Sequence, residues 1–298
     1  MEFVLAGCGR WGRRILITLA AQGERVWVVE PSEEARRGAL ERGAAGAVPD
    51  VSLVGRIDAA IVAVPTRRHA HVIGTLAPRA VPIFCEKPLT DDAESADRLA
   101  GAHERLFVMD KWRYHPAVEE MTRIVRSREL GTPLSLRTVR VQAGVSGHDV
   151  DPVWILAPHD ISIAREILGA IPRPLRAEAE TSGSDALAMT AACEVGGISF
   201  TFEVSSRASD RRREIELVCE RGTVRWTIQR EHEVAVSTTG VRPVSPELPL
   251  DRELSAFRGY VQGGPPPKAS ARDGAETVRL IERLRALAGI MPSGRRSL

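Results

Sequence analysis

The chain has 298 residues, of which 43% are hydrophobic and 27% charged, so it can bury a substantial core and is expected to form two domains. Its formal net charge of +2 is too small to favour nucleic-acid binding, and no stretch reaches the roughly eighteen apolar residues of a membrane span. The four cysteines have no C-x-x-C spacing and no signal peptide is predicted, so we expect reduced thiols in a soluble, cytoplasmic protein.

The first thirty residues contain the strongest motif. Residues 3–6 (FVLA) predict a buried strand, residues 10–21 an amphipathic helix, and residues 26–29 (VWVV) a second strand. Between the first strand and the helix lies GCGRWG, a G-x-G-x-x-G turn in the strand–turn–helix context that dinucleotide binding requires. The alternative, a glycine-rich turn without a ligand, does not account for this whole context.

Each residue of the turn has an expected role. Gly7 permits the tight bend, Gly9 lets the backbone approach a pyrophosphate, and Gly12 lets the helix pack closely on the strand. The N–H groups of Arg10 and Trp11, at the start of the helix, would hold the phosphates.

Glu30 ends the second strand at eighteen positions after Gly12, close to the spacing of a carboxylate that binds the adenosine ribose. A carboxylate would repel a 2′-phosphate, so NAD is favoured over NADP as the cofactor. Arg36 and Arg37 could bind a 2′-phosphate, but they lie on the next predicted helix and are interpreted as a solvated pair.

Alternating strands and helices continue to about residue 115. They are predicted, beginning with a strand, at residues 57–64, 69–76, 81–85, 93–104 and 106–109. Residues 1–115 are therefore expected to form a Rossmann domain with a doubly wound parallel sheet. Val64, Pro65 and Thr66 follow one of its strands at the carboxyl end, where ligands of such sheets bind.

Residues 116–298 show a different pattern, which predicts an α+β domain built on a large, mainly antiparallel sheet. After a helix that begins at residue 116, strands are predicted in LSLRTVRVQ, GISFTFEVSS, REIELVC and TVRWTIQ. A helix is inserted from Pro158 to Leu168. A final amphipathic helix is predicted at about residues 273–289. It packs either within the second domain or back on the first. The fold class is thus α/β with a second, α+β domain.

Two more positions carry suitable chemistry. Lys87, in CEKPL, follows a strand at the carboxyl edge of the sheet, and a lysine desolvated there can polarise a substrate oxygen. His159, in APHDIS, is expected at the first turn of the inserted helix, and its imidazole titrates near neutrality, which suits proton exchange. A surface lysine and a capping or packing histidine are the alternatives.

Together these motifs resemble the Gfo/Idh/MocA family, the group of glucose-fructose oxidoreductase and inositol dehydrogenase. The motifs, in order along nearly the whole chain, are GCGRWG, AVPT (63–66) with His69, EKP (86–88), RYHPA (113–117) and APHDIS (157–162). The resemblance implies a Rossmann domain that binds NAD(P), joined to a sheet domain. It implies that Lys87 and His159 are the catalytic residues, and it is greatest to members that act on sugar nucleotides.

We expect further site residues around these motifs. The cofactor contacts are expected to include, besides the glycine turn and Glu30, residues Val64, Pro65, Thr66, His69, Glu86 and Lys87. The substrate contacts are expected to be Arg113, His115, His148 and Asp160, and no metal is expected. The resemblance also implies a cis Lys87–Pro88 bond and a homodimer or homotetramer. Its interface would be an exposed sheet face with the apolar residues Ile215, Leu217, Val224 and Trp226.

One departure from the family pattern affects the function. The family usually has aspartate four residues before the histidine, where this chain has Ile155. Asp149 or Asp151 could supply a replacement carboxylate, but the favoured interpretation of both is a solvated loop. The resemblance implies an NAD-dependent oxidoreductase acting on a secondary alcohol or ketone of a sugar, sugar nucleotide or sugar-like substrate. The alternatives are an imine or ketone reductase of specialised metabolism, and a non-catalytic NAD-binding sensor or scaffold.

Overall fold

The computed structural model describes residues 1–144 and 149–290. The chain divides into two compact units. The first comprises Met1–Lys111 and Leu248–Ala275, and the second comprises Trp112–Glu247 and Glu276–Leu298. The chain therefore crosses between units at Trp112, near the predicted boundary, and returns to the first unit for a segment that the sequence analysis assigned to the second. Within the described ranges, no helix is long and apolar enough to cross a membrane.

The helices and strands are numbered here in chain order. The helices are α1 (Arg10–Ala21), α2 (Glu33–Leu40), α3 (His69–Leu76), α4 (Ala93–Ala102), α5 (Pro116–Arg126), α6 (Pro152–Leu168), α7 (Pro249–Val261) and α8 (Ala271–Leu287). The strands are β1 (Glu2–Ala6), β2 (Arg25–Val29), β3 (Gly46–Val48), β4 (Ala59–Val62), β5 (Ile83–Glu86), β6 (Leu106–Met109), β7 (Pro133–Val141), β8 (Arg173–Ser182), β9 (Asp185–Val195), β10 (Ile198–Ser205), β11 (Arg212–Cys219), β12 (Gly222–Thr227), β13 (Glu233–Val236) and β14 (Gly240–Pro243).

The first unit is built on a six-stranded sheet in the order β3-β2-β1-β4-β5-β6, in which every pair is parallel. The strand order reverses between β1 and β4, where such sheets bind their ligands. Helix α7 covers part of this sheet, because its Leu254 and Phe257 belong to the same buried core as Phe3 and Phe84. The rings of Phe84 and Phe257 stack at 4.7 Å. Helix α7 is not among the helices predicted from the sequence.

The second unit contains an eight-stranded sheet in the order β14-β13-β12-β11-β7-β10-β9-β8. Only β7 and β10 are parallel among the pairs of the described part of this sheet, and α6 packs on β7, β9 and β10. Together with the first sheet, this confirms the predicted fold class. The second sheet is mainly antiparallel, as expected.

The predicted apolar interface face is wrong. Ile215, Leu217, Val224 and Trp226 are at most 2% exposed, so they belong to the covered face of the sheet. The opposite face carries charged side chains that pair across strands, such as Arg225 with Glu214 and Glu216. Period-two alternation identifies which residues share a face, but it does not identify which face is covered.

Helix α6 begins at Pro152, six residues before the predicted start. Asp151 caps it by accepting hydrogen bonds from the N–H groups of Val153, at 3.1 Å, and Trp154, at 3.4 Å. Asp at the N-cap followed by Pro is a strong start signal, so Pro158 lies inside the helix. His159 is consequently a mid-helix residue, and its predicted place at the helix start is wrong.

Candidate functional site

The glycine turn of the first unit has three different steric environments. Gly7 has φ +93°, and a Cβ there would lie 2.7 Å from the carbonyl oxygen of Ala63. A Cβ on Gly12 would lie 2.2 Å from the carbonyl oxygen of Gly7, so only glycine allows α1 to approach β1 this closely. A Cβ on Gly9 would meet no atom within 4 Å, so the backbone there borders open space.

The first turn of α1 has the properties of an anion site. Gly9 is the N-cap, and no side chain caps the helix. The first N–H groups of a helix have no partner within the helix, and the helix dipole favours negative charge at this end. The open backbone at Gly9 and the uncapped N–H groups at Arg10 and Trp11 therefore fit the pyrophosphate of a dinucleotide.

The carboxylate of Glu30 lies beside this turn. Its Oε2 accepts a hydrogen bond from the N–H of Cys8 at 2.9 Å, and its Oε1 accepts one from the N–H of Ser32 at 3.1 Å. Arg36 donates to the carbonyl oxygens of Glu30, at 2.8 Å, and Pro31, at 2.7 Å. The position of Glu30 fits a contact with a ribose diol, and Arg36 is occupied by backbone carbonyls.

His69 connects two loops at the carboxyl edge of the first sheet. The side chain is 1% exposed. Its Nδ1 lies 3.0 Å from the carbonyl oxygen of Pro88, and its Nε2 lies 3.0 Å from that of Val64. Carbonyl oxygens only accept, so at least one ring nitrogen donates, and the ring lies between these two loops rather than facing open space. Thr66 is also buried, whereas Pro65 is exposed and Val64 is partly exposed.

The Glu86-Lys87-Pro88 segment follows β5, and the Lys87–Pro88 bond is cis, as expected. Lys87 is partly exposed, and its N–H donates to Oε2 of Glu86 at 3.1 Å. Loss of hydration raises the pKa of Glu86 to about 7, while the charges of Lys87 and Lys111 oppose the rise. Lys87 thus lies next to a carboxyl group that titrates near neutrality.

Two residues near Glu86 were missed by the sequence analysis. Glu253 of α7 is 1% exposed, and burial, followed by the charge of Glu86, raises its pKa well above the usual range. Lys111 follows β6, and its positive charge opposes the rise in pKa of both carboxyl groups. Its Nζ lies 4.2 Å from the centre of the Trp11 ring. The available sequence signal for Glu253 was a glutamate next to Leu254 on the apolar stripe of a helix.

His159 lies in the middle of α6 in the second unit, half-buried, with its ring centre 6.4 Å from that of Trp112. Ile155 stands one turn before it on the same helix face. Asp151 is not a replacement carboxylate, because its Oδ2 accepts from Nη1 of Arg285 at 2.6 Å while its Oδ1 caps the helix. The hypothesis is therefore wrong for Asp151.

The expected substrate contacts are held by other protein groups. Nε of Arg113 donates to Glu166 at 2.8 Å. His115 accepts a hydrogen bond from the N–H of Ala117 and stacks on Trp112 at 4.7 Å. Asp160 is 1% exposed and pairs with Arg140. His148 lies outside the described residues. Within those residues, no group of three or more side chains could hold a metal ion.

The comparisons with known proteins agree with this geometry. The sequence model of the family described as "Oxidoreductase family, NAD-binding Rossmann fold", GFO_IDH_MocA, matches residues 1–109. Residues 1–109 are therefore similar to the Gfo/Idh/MocA family. The resemblance inferred from the motifs is thereby confirmed, and so is the NAD-binding character of the first unit.

Curated relatives and solved structures extend the comparison. Inositol 2-dehydrogenase 2 of Saccharopolyspora erythraea is 31% identical over 183 residues, which are 57% of this chain and 54% of that protein. UDP-N-acetylglucosamine 3-dehydrogenase of Acidithiobacillus ferrooxidans is 29% identical over 198 residues, 64% of this chain and 62% of that protein. The chain thus spans about half the length of the inositol dehydrogenases that it matches.

The solved structure of the Acidithiobacillus ferrooxidans enzyme has a TM-score of 0.84 at 22% identity, covering 97% of this chain and 98% of that one. Levoglucosan dehydrogenase in complex with NADH has a TM-score of 0.86 at 17% identity, covering 97% of both chains. At these identities the likeness to these two structures establishes the fold alone.

Proposed function

We propose that the protein is an NAD-dependent oxidoreductase that acts on a secondary alcohol or ketone of a sugar, sugar nucleotide or sugar-like substrate. The observation that carries the proposal is the glycine turn, where open backbone at Gly9 and the uncapped start of α1 lie beside the carboxylate of Glu30. The family match of residues 1–109 and the sugar and polyol dehydrogenases among the relatives support it.

The residues proposed to hold NAD surround this turn. The backbone of Gly9, Arg10 and Trp11 would bind the pyrophosphate, and Gly7 and Gly12 would allow the tight turn and the close helix packing that form this site. Glu30 would accept hydrogen bonds from the adenosine ribose. The further proposed contacts are Val64, Pro65, Thr66, His69, Glu86 and Lys87, of which the buried His69 would act by shaping the loops. NAD, when bound, supplies the nicotinamide that accepts or donates hydride.

Lys87 and His159 are the proposed catalytic residues. The Lys87 ammonium would donate a hydrogen bond to the substrate oxygen and stabilise the negative charge that develops there. In the oxidative direction His159 would accept the hydroxyl proton, a role that a half-buried imidazole can perform near neutral pH. Ile155 cannot orient the imidazole of His159. We propose that the packing of this imidazole near Trp112 orients it instead.

Arg113, His115, His148 and Asp160 were expected to bind the substrate directly. For Arg113, His115 and Asp160 we now propose an indirect role, because their side chains are engaged by the protein. The partner is a small molecule. We also propose a homodimer or homotetramer and a cytoplasmic location. The first rests on the family resemblance, and the second is supported by the four cysteines being free thiols.

One assay tests the proposal. The purified full-length chain is incubated with NAD and a panel of polyols, free sugars and nucleotide sugars, NADH formation is followed by absorbance, and the product is identified by mass spectrometry. Oxidation of one sugar or polyol to its ketone is expected. The two alternatives give different results. Reduction of imines with NADH would identify the reductase. NAD binding without any turnover would identify the sensor or scaffold, the alternative that the presence of Ile155 favours.

A further inference from the structure

Two arginines face each other on neighbouring strands of the second sheet. Arg140 of β7 is the cross-strand partner of Arg213 on β11, so both side chains project from the same face. Ile215, two residues after Arg213, lies on the covered face of the sheet, and Asp160 of α6 reaches Arg140 from that side. Like charges directly opposite each other destabilise an antiparallel pair, so the two arginines require negative charge nearby.

The protein supplies only part of that charge. Oδ2 of Asp160 accepts a hydrogen bond from Nε of Arg140 at 2.7 Å, and both side chains are at most 2% exposed. Arg213 donates from Nη2 to the neutral Gln142 amide at 2.9 Å. The other charges acting on Arg213 are those of Arg211 and Glu231, which are exposed and therefore screened by water. Two guanidinium groups thus share one buried carboxylate.

The two arginines also have unused donors. Nη1 of Arg140 and Nε of Arg213 are buried and donate no hydrogen bond to any described residue. Burial, followed by the charges of Arg140 and Arg211, lowers the pKa of Arg213 to about 9, so the group remains charged at neutral pH. A desolvated guanidinium with unused N–H groups is unfavourable, and carboxylate and phosphate are the groups that satisfy it best.

The ring of Trp112 lies near both Arg140 and His159. The guanidinium carbon of Arg140 lies 4.4 Å from the centre of the Trp112 ring, whose centre is 6.4 Å from that of His159. Asp160, which pairs with Arg140, is the residue after His159 on α6. The positive charge of Arg140 is therefore separated by the Trp112 ring from His159, the histidine proposed to exchange a proton with the substrate.

We propose that Arg213, backed by the charge of Arg140, is a subsite for an anionic group of the substrate, either a carboxylate or a phosphate. Arg213 is partly exposed and can be reached by a ligand, whereas Arg140 is enclosed and acts through its charge. The inference rests on the proposed function. It narrows the substrate from neutral polyols to sugar acids, sugar phosphates or nucleotide sugars.

A matched set of ligands tests the subsite without requiring turnover. Isothermal titration of the full-length protein, with and without NAD, compares glucose with glucuronate, glucose 6-phosphate and UDP-glucose. All four share the gluco-configured ring; the last three add a carboxylate, a phosphate and a diphosphate with its uridine, respectively. At least one anionic member should bind about 10-fold or more tightly than glucose, as expected for a charged hydrogen bond. The best binder shows whether carboxylate or phosphate is preferred. Equal affinity for glucose and all three anions contradicts the proposal.

A pair of neighbouring variants supplies the control. Arg213→Gln should lower the affinity for the preferred anion about 10-fold or more. Arg212→Gln, on the opposite face and paired with Glu203 at 3.6 Å, should not change it. Without ligand, Arg213→Gln should be at least as stable as the wild type, because it removes the repulsion by Arg140. Equal effects of the two variants, unchanged anion affinity, or a destabilised ligand-free Arg213→Gln each overturn the proposal.

Turnover with NAD, measured on the same ligands, separates this proposal from the proposed function. If anion binding depends on Arg213 but no substrate is turned over, the proposed function is contradicted and the subsite proposal is supported. If neutral sugars are turned over and no anionic ligand is preferred over them, the proposed function is supported and the subsite proposal is contradicted.

Discussion

Glu86 at the end of β5 lies close enough to Glu253 of α7 for its negative charge to disfavour ionisation of the Glu253 carboxyl group. Oε2 of Glu253 is buried and has no hydrogen-bond partner within the described part of the chain. Asp110 adds a further negative charge, and Lys111 supplies a positive charge that both carboxyl groups share. The first unit therefore contains carboxyl groups whose pKa values are raised on folding, which makes its stability depend on pH.

Glu253→Gln should stabilise the protein, and the gain should grow with pH. The pKa of Glu253 is raised above its ordinary value of 4.5, so the stability that its neutral form allows is complete below pH 4.5 and is lost as the pH rises toward the folded-state pKa. Glutamine keeps the neutral shape and removes this loss. Thermal unfolding should show a small gain at about pH 5 and a larger one at about pH 8.

Glu104→Gln, at an exposed position of the same unit, is the control and should leave the melting temperature unchanged at both pH values. Each kcal/mol of stabilisation corresponds to roughly 2–4 °C for a chain of this size. A Glu253→Gln protein less stable than the wild type at alkaline pH would show that the carboxylate is ionised and paired.

Glu30→Ala should weaken NAD binding and remove the preference for NAD over NADP. The carboxylate that would meet the ribose is held by the N–H of Cys8, and its charge would repel a 2′-phosphate. Fluorescence titration gives the dissociation constants of both cofactors for the wild type and the variant. Glu33→Ala, an exposed carboxylate in the first turn of α2, is the control. An unchanged NAD preference in Glu30→Ala would assign the selectivity to other residues.

Lys87→Met should lower kcat on the order of 10²–10⁴-fold once a substrate is identified, because the ammonium group is proposed to act on the reacting oxygen. NAD affinity should change far less, since the pyrophosphate and adenosine contacts lie elsewhere. Steady-state kinetics and cofactor titration measure the two effects separately. Lys268→Met, the same substitution at a lysine outside the proposed site, is the control and should change neither quantity. Near-normal turnover by Lys87→Met would favour the non-catalytic alternative.

Asp151→Ala should destabilise the second unit by about 3–5 kcal/mol, the cost of leaving one member of a buried ion pair without its partner. Asp151 caps α6, pairs with Arg285 at 2.6 Å and accepts a hydrogen bond from the N–H of Ala186 at 3.3 Å. Denaturant unfolding compares it with Asp210→Ala, at an exposed position. A normal unfolding free energy combined with lost turnover would instead make Asp151 a catalytic carboxylate.

The local pattern of the sequence was sufficient for the glycine turn, for most strands of the first sheet, and for α3, which spans the predicted residues 69–76. Each of these depends on apolar periodicity and on glycine stereochemistry within a few residues, as the steric environment of Gly7 and Gly12 shows. The same kind of signal at Asp151-Pro152 marked the start of α6 and was overlooked in favour of Pro158.

Other features depended on contacts between residues distant in the sequence. The covered side of the second sheet, the burial of Glu253 against the first sheet and the opposition of Arg140 to Arg213 each require strand register and helix packing. The period-two pattern indicates that Ile215 and Leu217 share a face, but α6, which packs on β7, β9 and β10 of the same sheet, precedes them by nearly fifty residues. Charge and burial at such positions are set by packing across the chain, so only the tertiary structure could show that α7 carries an acid into the core and that two arginines share one carboxylate.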